Sequence, residues 1–282
     1  MAYRGRFFVR QRIWRCGAYA EVELYPVFQP PGKRRGKCRP TRECQQRINQ
    51  RDAERKLARL LRANFGEGDL EVDLTYASPE TAEGAVKNMK KYLGSLRKLY
   101  RGAGTELKYV YTVEQGKKSG RVHFHLVLNA GPLGRDGLEG LWNHGYANAR
   151  RLRMDETGVS GLADYIAKKG KSRKPAEMGK RRWSCSKNLS RPKPETRDGA
   201  ATVGEVMALA EEIDRRSAGA VLEGMTLVEA EAWRNRVNRG LYVRLEMAAP
   251  ETWHGRRPVP RYLSGELGGE EEADTVFLLK GA

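Results

Sequence analysis

The stretch GRVHFHLVLN, residues 120–129, restricts the fold more tightly than any other part of the chain. Side chains alternate across a strand, so Val122, Phe124, Leu126 and Leu128 share one face, and His123, His125 and Val127 share the other. The first face needs a core, so the strand must lie inside a sheet. The second face carries two of the chain's four histidines. The preceding segment LKYVYTVE, residues 107–114, also alternates and reaches the histidine strand through QGKKSGR, which predicts an antiparallel hairpin. With Lys117–Gly120 as the turn, Glu114 stands directly opposite His123, and Glu114, His123 and His125 converge on one face. One carboxylate and two imidazoles form a nitrogen and oxygen donor set for a divalent ion. A slip of one residue would send Glu114 to the other face. Glu71 and Asp73 are the reserve carboxylates. The same histidines would also suit packed or surface imidazoles with no ligand role.

The neighbouring segments supply the rest of a domain. DLEVDLTY, residues 69–76, alternates as a strand, and Ser78-Pro79-Glu80 predicts a helix start with Ser78 as N-cap. Ala82, Ala85, Met89, Leu93, Leu96 and Tyr100 keep the helical period up to Gly102. A helical piece around DGLEGLWN leads to a strand in GYANARRLRM, and Ser160 opens a helix in SGLADYIAKKGK. The order predicts an α+β fold: an antiparallel sheet with a ferredoxin-like or RRM-like split β-α-β core, the His-x-His strand within it, and helices on one face.

Residues 1–64 read as a basic N-terminal arm and helix, 65–195 as the catalytic core, 196–262 as a mostly helical C-terminal extension, and 263–282 as an acidic tail. In the extension, TVGEVMALAEEIDRR and TLVEAEAWRNRVNRG read as helices, the second with Thr226 and Glu229 spaced as a capping box, and LYVRLEM as a strand.

Charge narrows the partners. Residues 1–200 hold 43 Lys and Arg against 21 Asp and Glu, net +22, whereas residues 201–282 are net −4. That is the footprint of a nucleic-acid binder, whose affinity comes from neutralised phosphates. With no apolar run of about eighteen residues and a charged start, neither a membrane span nor a signal peptide is expected. A soluble, cytoplasmic protein with reduced thiols follows from the absence of C-x-x-C pairs.

Tyr165 adds a nucleophile. On a helix, Lys168 and Lys169 lie three and four residues on, so a phenol and an ammonium share one side and the cation favours the phenolate. The alternative is a tyrosine at the edge of a core stripe. Gly170-Lys171-Ser172 is no phosphate loop, because Tyr165 occupies the place of its first glycine.

Taken together, HFH on a strand and YIAK some forty residues later resemble the HUH endonucleases. DLTY is similar to that family's first motif, and Glu114 to its third metal ligand. KYVYTVEQGKKSGRVHFHLVLN and RRWSCSKNLSRP most resemble replication-associated proteins of small bacterial DNA phages and plasmids, over residues 65–195. No second tyrosine lies near Tyr165 on its helix, so the resemblance is to the one-tyrosine type. It implies Mg²⁺ or Mn²⁺ at Glu114, His123 and His125, attack by Tyr165 on single-stranded DNA at an origin that can form a hairpin, and support by Lys168 or Lys169. It further implies rolling-circle replication in a bacterial host cytoplasm with host polymerase and helicase, and no membrane partner. The rival readings are a transposase or relaxase with the same chemistry, and a non-catalytic module that binds single strands.

Overall fold

The computed structural model describes residues 7–28, 43–116, 120–154, 183–219, 221–235, 239–250 and 260–263. In chain order these form β1 (Phe7–Cys16), β2 (Tyr19–Phe28), α1 (Glu43–Arg62), β3 (Leu70–Tyr76), α2 (Ala82–Gly102), β4 (Tyr109–Gln115), β5 (Val122–Leu128), α3 (Arg135–Gly140), β6 (Gly145–Arg151) and β7 (Ser184–Cys185). They continue as β8 (Glu195–Asp198), α4 (Val203–Asp214), β9 (Thr226–Arg234), β10 (Leu241–Ala248) and β11 (Arg261–Leu263). The fold is α+β, with two sheets dominated by antiparallel pairing. Each sheet belongs to its own compact unit: Arg39–Pro192 forms one, and Met1–Cys38 joins Lys193–Ala282 in the other.

In the unit of residues 39–192 the strand order is β6-β3-β5-β4-β7. One face is apolar throughout. Val72 and Leu74 of β3, Val113 of β4 and Phe124, Leu126 and Leu128 of β5 pack against Met89, Tyr92, Leu93 and Leu96 of α2 and against Trp142. Helix α2 starts later than the sequence suggests: Thr81, not Ser78, is its N-cap, because Thr81 Oγ1 accepts a hydrogen bond from Gly84 N at 3.0 Å. Helices also lie on the second face, contrary to the expectation of one covered face. Leu57, Leu60 and Leu61 of α1, with Phe65, pack on Val110 and Val127. The cause is chemical, since Val110 and Val127 make that end of the face apolar and a buried leucine contributes about 1.5–3 kcal/mol.

The other unit contains a sheet of order β11-β9-β10-β2-β1-β8, with α4 packing Val206, Ala210 and Ile213 against Val22, Val243 and Leu245. Helix α4 falls within the expected TVGEVMALAEEIDRR helix and carries a full capping box between Thr202 and Glu205. Two expectations fail here. The supposed N-terminal arm contains a hairpin of two ten-residue strands, β1 and β2. The supposed helix at Thr226 is strand β9, so the region after residue 196 holds strands as well as a helix. Glu and Ala in TLVEAEAW favour a helix locally, but as a strand they send Leu227, Ala230 and Ala232 to the core and Glu229 and Glu231 to Arg244 of β10. The buried Arg244 guanidinium reaches Glu229 at 2.7 Å, Glu231 at 3.2 Å, Glu246, and Glu21 at 4.0 Å. Burial alone would lower the pKa of Arg244; these carboxylates raise it instead.

Candidate active site on the five-stranded sheet

Strands β4 and β5 pair so that Glu114 opposes His123 and Thr112 opposes His125. On the other side of β5, Thr75 opposes His123 and Asp73 opposes His125. Glu71, Asp73 and Thr75 therefore share the histidine face, and β6 adds Tyr146, Asn148 and Arg150 through its register with β3. The hairpin is closed beyond Glu114 by Gly116 N donating to Arg121 O at 2.8 Å. This is the register that the alternating sequence requires, and it keeps the apolar partners of both strands in the core.

The polar contacts have an order to them. His125 Nδ1–H donates to Asp73 Oδ1 at 2.5 Å, and His125 Nε2 lies 3.6 Å from Glu114 Oε2. His123 Nδ1 lies 3.0 Å from Thr75 Oγ1. Arg150 clamps Glu71 at 2.6 Å and Asp73 at 3.1 Å. Burial would raise the Asp73 carboxyl, but His125 and Arg150 outweigh it and hold it below the usual carboxylate range. An ionised Asp73 fixes the proton of His125 on Nδ1, so in the neutral ring Nε2 carries the lone pair that faces Glu114. Glu114 and His125 are both buried, and Glu114 Oε1 has no hydrogen-bond partner among the described residues.

Among the described residues, no three His, Cys, Asp or Glu side chains stand close enough to enclose an ion. Glu114 and His125 meet, whereas His123 shares their face one pair further along β5. Tyr165, Lys168 and Lys169, with the helix expected around them, lie outside the described residues.

Residues 70–170 match the family model for replication-associated proteins of the ORF2 type. The match is a segment, not the whole chain. It runs from the start of β3 through the histidine strand and includes the sequence positions of Tyr165, Lys168 and Lys169. No curated protein and no solved structure gives a match to the chain. No helix among the described residues is long and apolar enough to cross a membrane.

Within this replication-associated segment, sequence reasoning does not assign Arg150, Thr75 or the orienting role of Asp73. The sequence offers Asp73 as a reserve ligand; it engages His125 Nδ1 and Arg150 instead. The alternation Glu71, Asp73, Thr75 signals a polar face. Which strand that face meets depends on the order β6-β3-β5, which alternation does not encode.

Proposed function

We propose that the replication-associated segment nicks and rejoins single-stranded DNA, and so initiates rolling-circle replication of a phage or plasmid. One observation carries the reading: the buried Glu114 carboxylate and the lone-pair side of His125 face each other at 3.6 Å, with Glu114 Oε1 left without a partner among the described residues. Two electron-pair donors in that relation suit a cation between them, because an unsatisfied buried carboxylate oxygen is costly. Glu114, His123 and His125 would hold Mg²⁺ or Mn²⁺, which supplies Lewis-acid polarisation of the scissile phosphate.

The chain's own groups do the rest. Asp73 orients His125, Thr75 orients His123, and Arg150 keeps Asp73 ionised. Tyr165 gives up its phenolic proton, and its oxygen attacks phosphorus in line. The bond from phosphorus to the 3′ oxygen breaks, that oxygen takes a proton, and the 5′ phosphate stays on Tyr165. Lys168 or Lys169 offsets the charge that develops there. The 3′-hydroxyl can prime a host polymerase aided by a host helicase in the bacterial cytoplasm, and the reverse reaction closes the circle. The match over residues 70–170 and the basic charge of residues 1–200 support this choice of substrate.

The test is incubation of the chain with a single-stranded circle and Mn²⁺, followed by a denaturing gel. The expected products are a linear strand and an SDS-resistant adduct that maps to Tyr165 and is absent from Tyr165→Phe. Metal-dependent cleavage without an adduct would replace Tyr165 by water, and binding without cleavage would make the segment a single-strand binding module.

A further inference from the structure

Tyr146 stands on the histidine face with 70% of its surface exposed, the most open of the large apolar side chains described. Its ring and hydroxyl make no ring contact, ion pair or hydrogen bond among the described residues. Single exposed aromatics are common, so exposure alone says little. Its register says more. Tyr146 opposes Thr75, Thr75 opposes His123, and His123 opposes Glu114, so the four side chains form one row across β6, β3, β5 and β4. Adjacent strands lie about 4.8 Å apart, which puts the Tyr146 ring roughly two strand spacings from His123 with only a threonine between them.

The backbone beneath the ring is fixed. Gly145 has a φ of 151°, and a β-carbon there would collide with the carbonyl oxygen of Thr75 and the amide of Ala77. Ala77 N also donates to His144 O at 3.0 Å, and Trp142 Nε1 donates to Thr75 O at 3.3 Å. The start of β6 is thus tied to the end of β3, and Tyr146 is held at a set position instead of waving on a loop.

We infer that Tyr146 is a binding platform on which one base of the single-stranded DNA stacks, next to the phosphate that faces His123 and Glu114. An aromatic ring on a rigid strand suits a base face, and every base has one, so the contact fixes the strand's position without reading its sequence. The inference rests on the proposed nicking function for its substrate. Its own content is the contact, which can be observed without any cleavage.

The test uses the full chain and a strand of about twenty thymidylates, long enough to span a single-strand site, with one central 5-iododeoxyuridine, irradiated without metal. The crosslinked peptide is expected to hold Tyr146, and Tyr146→Phe is expected to keep both the crosslink and nicking of a single-stranded circle. Tyr146→Ala should lose the crosslink and raise KM for nicking about tenfold, the order expected for one lost stack, with kcat unchanged. Crosslinks confined to other residues in the wild type, or an unchanged KM in Tyr146→Ala, would overturn the platform. So would loss of the covalent adduct in Tyr146→Phe, since the hydroxyl would then be a reacting group. A Tyr146 crosslink in a chain that never nicks DNA would uphold the contact and refute the nicking function.

Discussion

Two antiparallel sheets in this chain each carry a cluster of buried charge on one face, and the clusters are resolved in opposite ways. On the six-stranded sheet Arg244 stands among Glu21, Glu229, Glu231 and Glu246, so the protein supplies its own central cation. On the five-stranded sheet Arg150 engages Glu71 and Asp73 at the side, while Glu114 meets the edge of His125. The first cluster is internally paired. The second contains a buried carboxylate oxygen without a partner among the described residues. Buried acids therefore mean different things according to whether a cation is part of the chain, and only the second arrangement suits an ion from outside.

The comparison is broken most severely by removing the internal cation. Arg244→Met should cost the six-stranded unit about 3–5 kcal/mol or more, because several carboxylates are then stranded in the interior. Hydrogen exchange read separately on β2, β9 and β10 would measure it. If protection there were unchanged, the cluster would not be the structural element described. The counterpart, Glu114→Gln, should leave the stability of its unit unchanged or raise it by about 1 kcal/mol, since a buried charge is removed. Added Mn²⁺ should raise the melting temperature of the wild type, by about 2.7 kcal/mol of stability at about a hundred times the dissociation constant, and do little for Glu114→Gln. Equal stabilisation of both would remove Glu114 from the ligand set.

A smaller effect sharpens the role of orientation. Asp73→Asn should weaken Mn²⁺ binding about ten- to a hundredfold without abolishing it, as expected for a residue that aims a ligand. Isothermal titration would separate this from the complete loss expected for His125→Ala.

The smallest effect is in pH. Burial and the nearby Glu246 raise Glu229 above the usual carboxylate range. The folded state then holds its proton more tightly than the unfolded chain, so Glu229 contributes stability at acid pH that is lost as pH rises from 4.5 through its raised value. Asp73 runs the other way: its pKa is lowered, so its contribution is present above 3.8 and is lost as pH falls through the depressed value. As pH rises from strongly acid to neutral, exchange protection of β9 and of β3 should therefore drift in opposite directions, down for β9 and up for β3. Parallel drift would show that other groups dominate.

Much of the candidate site can be read from local pattern. The alternation in LKYVYTVE and VHFHLVL sets which residues face the core, and a short hairpin allows few registers that keep both apolar faces together, so Glu114 against His123 follows. Helix α2 is legible for the same reason, through Met89, Leu93 and Leu96 on one stripe. The strand at Thr226 is not. Its Glu and Ala residues favour a helix over short range, and the energy that overrides them lies in pairing with β10 and in the Arg244 ion pairs, of which the one with Glu229 spans fifteen residues of chain. The hairpin of β1 and β2 is hidden by its arginines, which read as a basic arm until β8 and β10 are found on either side of it.

What the sequence by itself determined is the period of each strand and the chemistry of each face, because side-chain direction follows from the backbone repeat within a single segment. What only the tertiary structure decided is which faces meet: Asp73 beside His125, Arg150 beside Asp73, and four glutamates around Arg244. Those contacts depend on strand order, and strand order is selected by the burial of whole faces against α1, α2 and α4, a sum over distant residues that no local stretch contains.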